Sequence, residues 1–216
     1  MQRILPFSVS VLFFASSVFA QGAGGQGGGG ARQGGAPAGP VGLAAGQQQS
    51  YNRVKGLVLG SVNEMPEEGF AHKPADGIRT FAQLFAHISD FHYGTCSQAL
   101  GVPNPKMGQP SLEMSVATKA DALKTLQESY AFCDPAFSSL TDQSITELIM
   151  GGRGGPRARG AILSQLLEHD NEMYGVSTVY LRTNSRVPPA SQGRGRGGAG
   201  GGRQGGGPAA PPARGQ

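Results

Sequence analysis

The sequence predicts an all-α protein, a four-helix bundle held between Gly-rich flanks. Three observations predict it. Four stretches between residues 47 and 183 repeat apolar residues at helical spacing, and no strand alternation competes with them. Gly and Pro punctuation separates the stretches. The 36 glycines are concentrated in residues 21–48 and 190–216, which hold almost no large apolar residues. Such segments cannot bury enough surface to offset chain entropy, so both are expected to be disordered. The foldable part is residues 49–189, enough for one core of ordinary size.

The first helix is expected over residues 47–64, where Val54, Leu57, Val58 and Val62 share a face and Met65-Pro66 ends the run. A loop follows to Asp76, which is a suitable N-cap for a second helix over 77–100. Ile78, Phe81, Leu84, Phe85, Ile88, Phe91, His92 and Cys96 form its broad inner face, with His87 at the flank, and Gly101 and Pro103 stop it. A third helix is expected over 118–140, with Leu123, Leu126, Tyr130 and Cys133 or Phe137 inward and a disturbance at Pro135. A short helical turn at 142–150 and a flexible Gly/Arg loop at 151–160 lead to the fourth helix, 161–183. There Ile162, Leu166, His169, Met173, Val176 and Tyr180 look inward, while Glu168, Asn171 and Arg182 point elsewhere. Long helices with few connections are the pattern of a four-helix bundle.

Charge divides along the same boundaries. Residues 49–189 carry 12 Lys or Arg against 14 Asp or Glu, whereas the six remaining arginines lie in the flanks without any acid. The overall balance of +4 therefore belongs to the flanks and gives no ground for a nucleic-acid partner. Among those flanks, the Arg/Gly run at 193–207 reads most plainly as a solvated spacer, with electrostatic contact to anionic cell-surface polymers as the alternative.

The N-terminus has the pattern of a bacterial-type signal peptide over residues 1–20. Arg3 is the positive start, residues 5–18 the apolar stretch and Val18-Phe19-Ala20 the cleavage pattern, so the mature chain would begin at Gln21. A periplasmic or secreted protein is expected, with no membrane span left after cleavage. In such a compartment the two cysteines, Cys96 and Cys133, are a disulfide candidate.

His169 on the inner face of the fourth helix and His87 on the second can both look into the bundle, where helical proteins build metal sites. Two histidines alone fall short of the three protein ligands usual for catalytic zinc. Under the plain reading, Asp90, Asp170 and Asn171 are solvated helix residues, although Asp90 at i+3 could orient the His87 ring.

The stretch from Thr80 through Phe81, Leu84, His87 and Ser89 to Asp90 resembles the second-helix motif of the DinB-like superfamily. His169-Asp170-Asn171-Glu172-Met173-Tyr174-Gly175, Tyr180-Leu181-Arg182 and Val187-Pro188-Pro189 resemble its last helix and exit. Met65-Pro66-Glu67-Glu68 and Lys73-Pro74 are similar to its lead-in, and the cysteines fall where exported relatives often carry them. The resemblance covers essentially all of 49–189. It implies three histidines on a divalent metal such as zinc or nickel, and a small-molecule substrate of unstated identity in a metal-dependent transferase or hydrolase. His87 and His169 match two of the three positions, and Met173 stands at the third. A thioether is a soft ligand poorly suited to zinc. Three readings stay open. Met173 packs in the core of a metal-free, degenerate site, so the bundle is a non-catalytic binding or structural module. Alternatively Glu172, at i+3 from His169 and better placed than His92, substitutes. Or the His/His/Met set takes a soft ion such as Cu(I). The oligomeric state, a dimer included, is left open.

Overall fold

Apolar side chains recurring every three or four residues are drawn out of water together only if the backbone coils so that they share a face. The computed structural model, which describes residues 41–151 and 154–192, has four such helices. They are α1 (Leu43–Glu64), α2 (Phe81–Leu100), α3 (Lys119–Ser138) and α4 (Arg159–Thr183). α2 packs against α3 and α4, and α1 packs against the other sides of the same two helices, so α1 and α2 lie diagonally across the core. Val54, Val58 and Val62 of α1 meet Phe81, Phe85 and Ile88 of α2, Leu126, Tyr130 and Phe137 of α3, and Ile162, Leu166 and Leu181 of α4 in one buried cluster. The expected signal peptide, most of the 21–48 linker and the tail beyond 192 lie outside the described residues. Among those described, no helix is long and apolar enough to cross a membrane.

The starts of the first two helices differ from the sequence expectation, one through a distant partner and one through a local cap. α1 begins at Leu43, inside the stretch expected to be linker. Asp142 Oδ1 accepts from Ala44 N at 2.8 Å, and Gln47 Nε2 donates to Gly160 O at 3.0 Å. The Asp142 carboxylate thus serves a helix end that has no side-chain cap of its own, and the Gln47 bond ties that end to the start of α4.

α2 begins at Phe81 instead of residue 77, and its cap is Thr80, not Asp76. Gly77 sits at φ +78, outside the helical region, whereas Thr80 and Gln83 form a reciprocal capping box. Ile78 is consequently off the helix and exposed. Thr80→Ala is expected to lower stability by about 1 kcal/mol, read as a lower urea midpoint with an unchanged slope.

Between α3 and α4, the expected helical turn at 142–150 is replaced by a short 3-10 turn (Ser144–Thr146) and strand β1 (Leu148–Met150). β1 pairs antiparallel with β2 (Pro156–Ala158), Leu148 opposite Ala158, so the expected flexible loop forms part of a hairpin. Three-residue strands are too short to produce a readable alternation, and their pairing is settled across the turn.

Cys96 of α2 and Cys133 of α3 are joined in a buried disulfide with their Cα atoms 5.3 Å apart. Pro135 is accommodated in the last turn of α3.

Candidate functional site

His87 projects from the middle of α2 and His169 from the middle of α4, and their Nε2 atoms stand 3.2 Å apart. Both rings are partly buried. Phe91, one turn beyond His87, lies flat against the His169 imidazole, with centroids 3.9 Å apart and planes within 14°. The helical stripe expected from the sequence therefore delivers both histidines to one place.

A residue outside every helix completes the surroundings of His87. Glu113, on the 3-10 turn Leu112–Met114, places Oε1 2.9 Å from His87 Nδ1, and its Oε2 accepts from Arg79 Nε at 2.8 Å. Asp90 does not orient the ring, as the sequence suggested. Its Oδ2 instead accepts from Ser111 Oγ at 2.7 Å and Leu112 N at 3.0 Å, anchoring the turn that carries Glu113.

Arg79 Nη2 lies 3.2 Å from the same nitrogen, but the Glu113 carboxylate is nearer at 2.9 Å and only accepts hydrogen bonds, so the His87 proton belongs on Nδ1 and the Nε2 lone pair faces His169. Burial, followed by the Arg79 guanidinium, holds His87 below its ordinary pKa. Burial alone would push Glu113 up, but the hydrogen bond and charge of Arg79 outweigh it and hold the carboxyl below the usual range.

Arg79, Gln83, Leu84, Glu113, Met173 and Tyr180 border a cleft of about 500 Å³ beside the pair. Tyr180 donates to Arg79 O at 2.7 Å, tying the mouth of the cleft to α4. Met173 is half-buried, packing against the core while also lining this cleft, and Val176, expected inward, sits at the rim with 38% of its surface exposed. Glu172 points to solvent. Among the described residues no three His, Cys, Asp or Glu side chains converge as a metal-binding group.

His92 and Asp170 belong to a different constellation, which the sequence reading missed. Asp170, expected to be solvated, is fully buried. Its carboxylate lies 2.9 and 3.1 Å from His92 Nε2, and Tyr130 Oη donates to it at 3.0 Å. Ser129 Oγ gives its hydrogen to Leu126 O, so at 3.0 Å it accepts from His92 Nδ1. Both ring nitrogens thus donate, and His92–Asp170 is a buried ion pair. Burial works to raise the Asp170 pKa, but the His92 charge and the hydrogen bonds prevail and hold it below the ordinary value. The available signal was the set of polar residues, His92, Ser129 and Tyr130, on otherwise apolar inward faces.

Comparison with known proteins agrees with this architecture. The family profile described as DinB superfamily matches residues 51–175. A DinB-like protein from Bacillus cereus has a similar crystal structure, with TM-score 0.53, 18% identity, and coverage of 67% of this chain and 94% of that one. A conserved protein from Enterococcus faecalis is also similar, with TM-score 0.54, 12% identity, and coverage of 65% and 96%. At these identities the likeness shows the fold alone. No functionally curated protein matches the chain.

Proposed function

The chain belongs to the DinB superfamily, and we propose that it is an exported member in which His87 and His169 bind a divalent ion beside a cleft for a small molecule. The observation that carries this reading is the 3.2 Å separation of the two Nε2 atoms. Two imidazoles on one tetrahedral ion, with bonds of 2.0–2.1 Å, hold their nitrogens about 3.3 Å apart. The protonation of His87 supports the same reading, because Glu113 keeps the proton on the far nitrogen and leaves Nε2 as a donor. The donor set suits a borderline ion such as zinc or nickel but stops at two imidazoles, leaving the other positions to water or ligand.

When bound, such an ion would polarise a ligand group or activate a coordinated water or thiol, as transferases and hydrolases require. The chain's own residues contribute the rest. Arg79 and Glu113 form a charged edge that orients His87, and Leu84, Met173 and Tyr180 give the cleft an apolar and aromatic wall. Export rests on the signal-peptide pattern of residues 1–20 and accords with the Cys96–Cys133 bridge.

The packing of Met173 against the core supports a second reading, a binding or structural bundle whose metal site is degenerate. Calorimetric titration of metal-free protein with zinc, nickel and, under reducing conditions short of breaking the disulfide, Cu(I) separates the two. The first reading expects one ion per chain, weakened more than about 100-fold by His87→Ala or His169→Ala, beyond what loss of a supporting partner usually costs. Met173→His should tighten zinc at least about tenfold by restoring a third imidazole on the same face. No binding by the unaltered chain, with a melting temperature indifferent to chelator, would establish the second reading. Tightest binding of Cu(I), lost on Met173→Leu, would instead assign the site to a soft ion.

A further inference from the structure

His169 has two tautomers, and its surroundings distinguish them. With the proton on Nε2, the ring donates to His87 Nε2, and His169 Nδ1 is left bare. That atom is buried and has no hydrogen-bond partner. The charged oxygen beside it is Asp170 Oδ1 at 3.8 Å, too far for a hydrogen bond and of the wrong polarity for a bare nitrogen. With the proton on Nδ1, the same oxygen becomes an acceptor within reach of a ring shift of about 1 Å. Both Nε2 lone pairs then face each other across 3.2 Å, an arrangement that a cation between them would stabilise.

Asp170 is built to serve as that acceptor. His92 and Tyr130 hold its carboxylate from one side, and a carboxylate has about four lone-pair sites, so Oδ1 retains capacity toward His169. Because His92 and Tyr130 lie on α2 and α3, the carboxylate is fixed to the bundle core and not to a mobile side chain.

Resting on the metal-binding reading above, we propose that Asp170 is a positioning residue for His169. By accepting the Nδ1 proton it keeps Nε2 bare toward His87, as Glu113 does for the partner ring. The two histidines would then be set by two carboxylates of opposite character, one at the cleft edge and one in the core. Ion binding would switch His169 from the Nε2–H to the Nδ1–H tautomer.

Long-range ¹H–¹⁵N correlation spectra of the histidine rings, recorded on the full chain with and without zinc, test this directly and need no variant. The expected result is His169 carrying its proton on Nδ1, with zinc on Nε2. In Asp170→Asn, zinc affinity should fall 10–100-fold, the usual range for loss of a supporting partner, with the His169 tautomer no longer uniform. Zinc bound through Nδ1 of His169 would overturn the proposal. So would a folded Asp170→Asn chain with unchanged affinity and an unchanged tautomer. If the unaltered chain takes up no zinc, the metal-binding reading itself fails; binding with the wrong tautomer overturns only the role of Asp170.

Discussion

His92→Leu is expected to reduce the free energy of unfolding by about 3–5 kcal/mol, the usual cost of removing one partner from a buried ion pair. The pair lies wholly inside the protein, with both side chains at 0% exposure. Leucine would leave the Asp170 carboxylate with Tyr130 Oη as its remaining close donor, and Ser129 Oγ without the His92 proton. A buried anion so depleted must take up a proton or admit water, and either is costly. Urea unfolding at pH 7 measures the loss, which is a large fraction of the 5–15 kcal/mol typical of a domain. A change below about 1 kcal/mol would mean that the carboxylate is not charged in the core. The double variant His92→Leu/Asp170→Leu should recover much of the loss, since no charge is then stranded. pH gives an independent check. The folded-state pKa of Asp170 is lowered, so its contribution is present above the unfolded value of about 3.9 and is lost as pH falls through the folded value. Unaltered protein should therefore lose stability over that acid interval, and the double variant should lose less.

Removing the disulfide should have an effect of similar size for a different reason. The bridge closes a segment with a sequence separation of 37 residues. By the chain-entropy relation, cross-linking a loop of that length restricts the unfolded chain by about 4 kcal/mol. Cys96→Ala/Cys133→Ala is expected to lower stability by that amount, with most of the change originating in the unfolded state. Comparison of urea midpoints for the variant and the oxidised parent measures it. Both half-cystines are fully buried between α2 and α3, so native protein should resist reductant until it is partly unfolded. Rapid reduction without loss of structure would contradict that burial.

Both features tie α2 to a neighbour, the ion pair to α4 and the disulfide to α3, and they are unequally legible in the sequence. Cys96 and Cys133 declared themselves through residue type and number alone. His92 falls on the inner face of α2 by periodicity, but residue type alone places its partner Asp170 in solvent. On α4 those neighbours are turned about 100° apart, and both directions remain inside because α2 packs along one flank while the core fills the other. Glu113 was missed altogether. It lies 26 residues from His87 on a turn with no periodicity, and is brought there by the Asp90 carboxylate.

The sequence by itself determined the helical class, the order of the four helices, the inward direction of His87 and His169, the disulfide candidates, and Met173 in place of a third histidine. Each is a local property, readable because one helical turn repeats every 3.6 residues and because side-chain chemistry belongs to the residue. Whereas the start of α2 follows from the local Thr80–Gln83 capping box, tertiary structure alone decided where α1 begins, that residues 148–158 include a hairpin, and which carboxylate serves which histidine. Those outcomes depend on Asp142 reaching Ala44, Glu113 reaching His87 and Asp170 turning toward His92. Such pairings join groups 26 to 98 residues apart, and no local period encodes them.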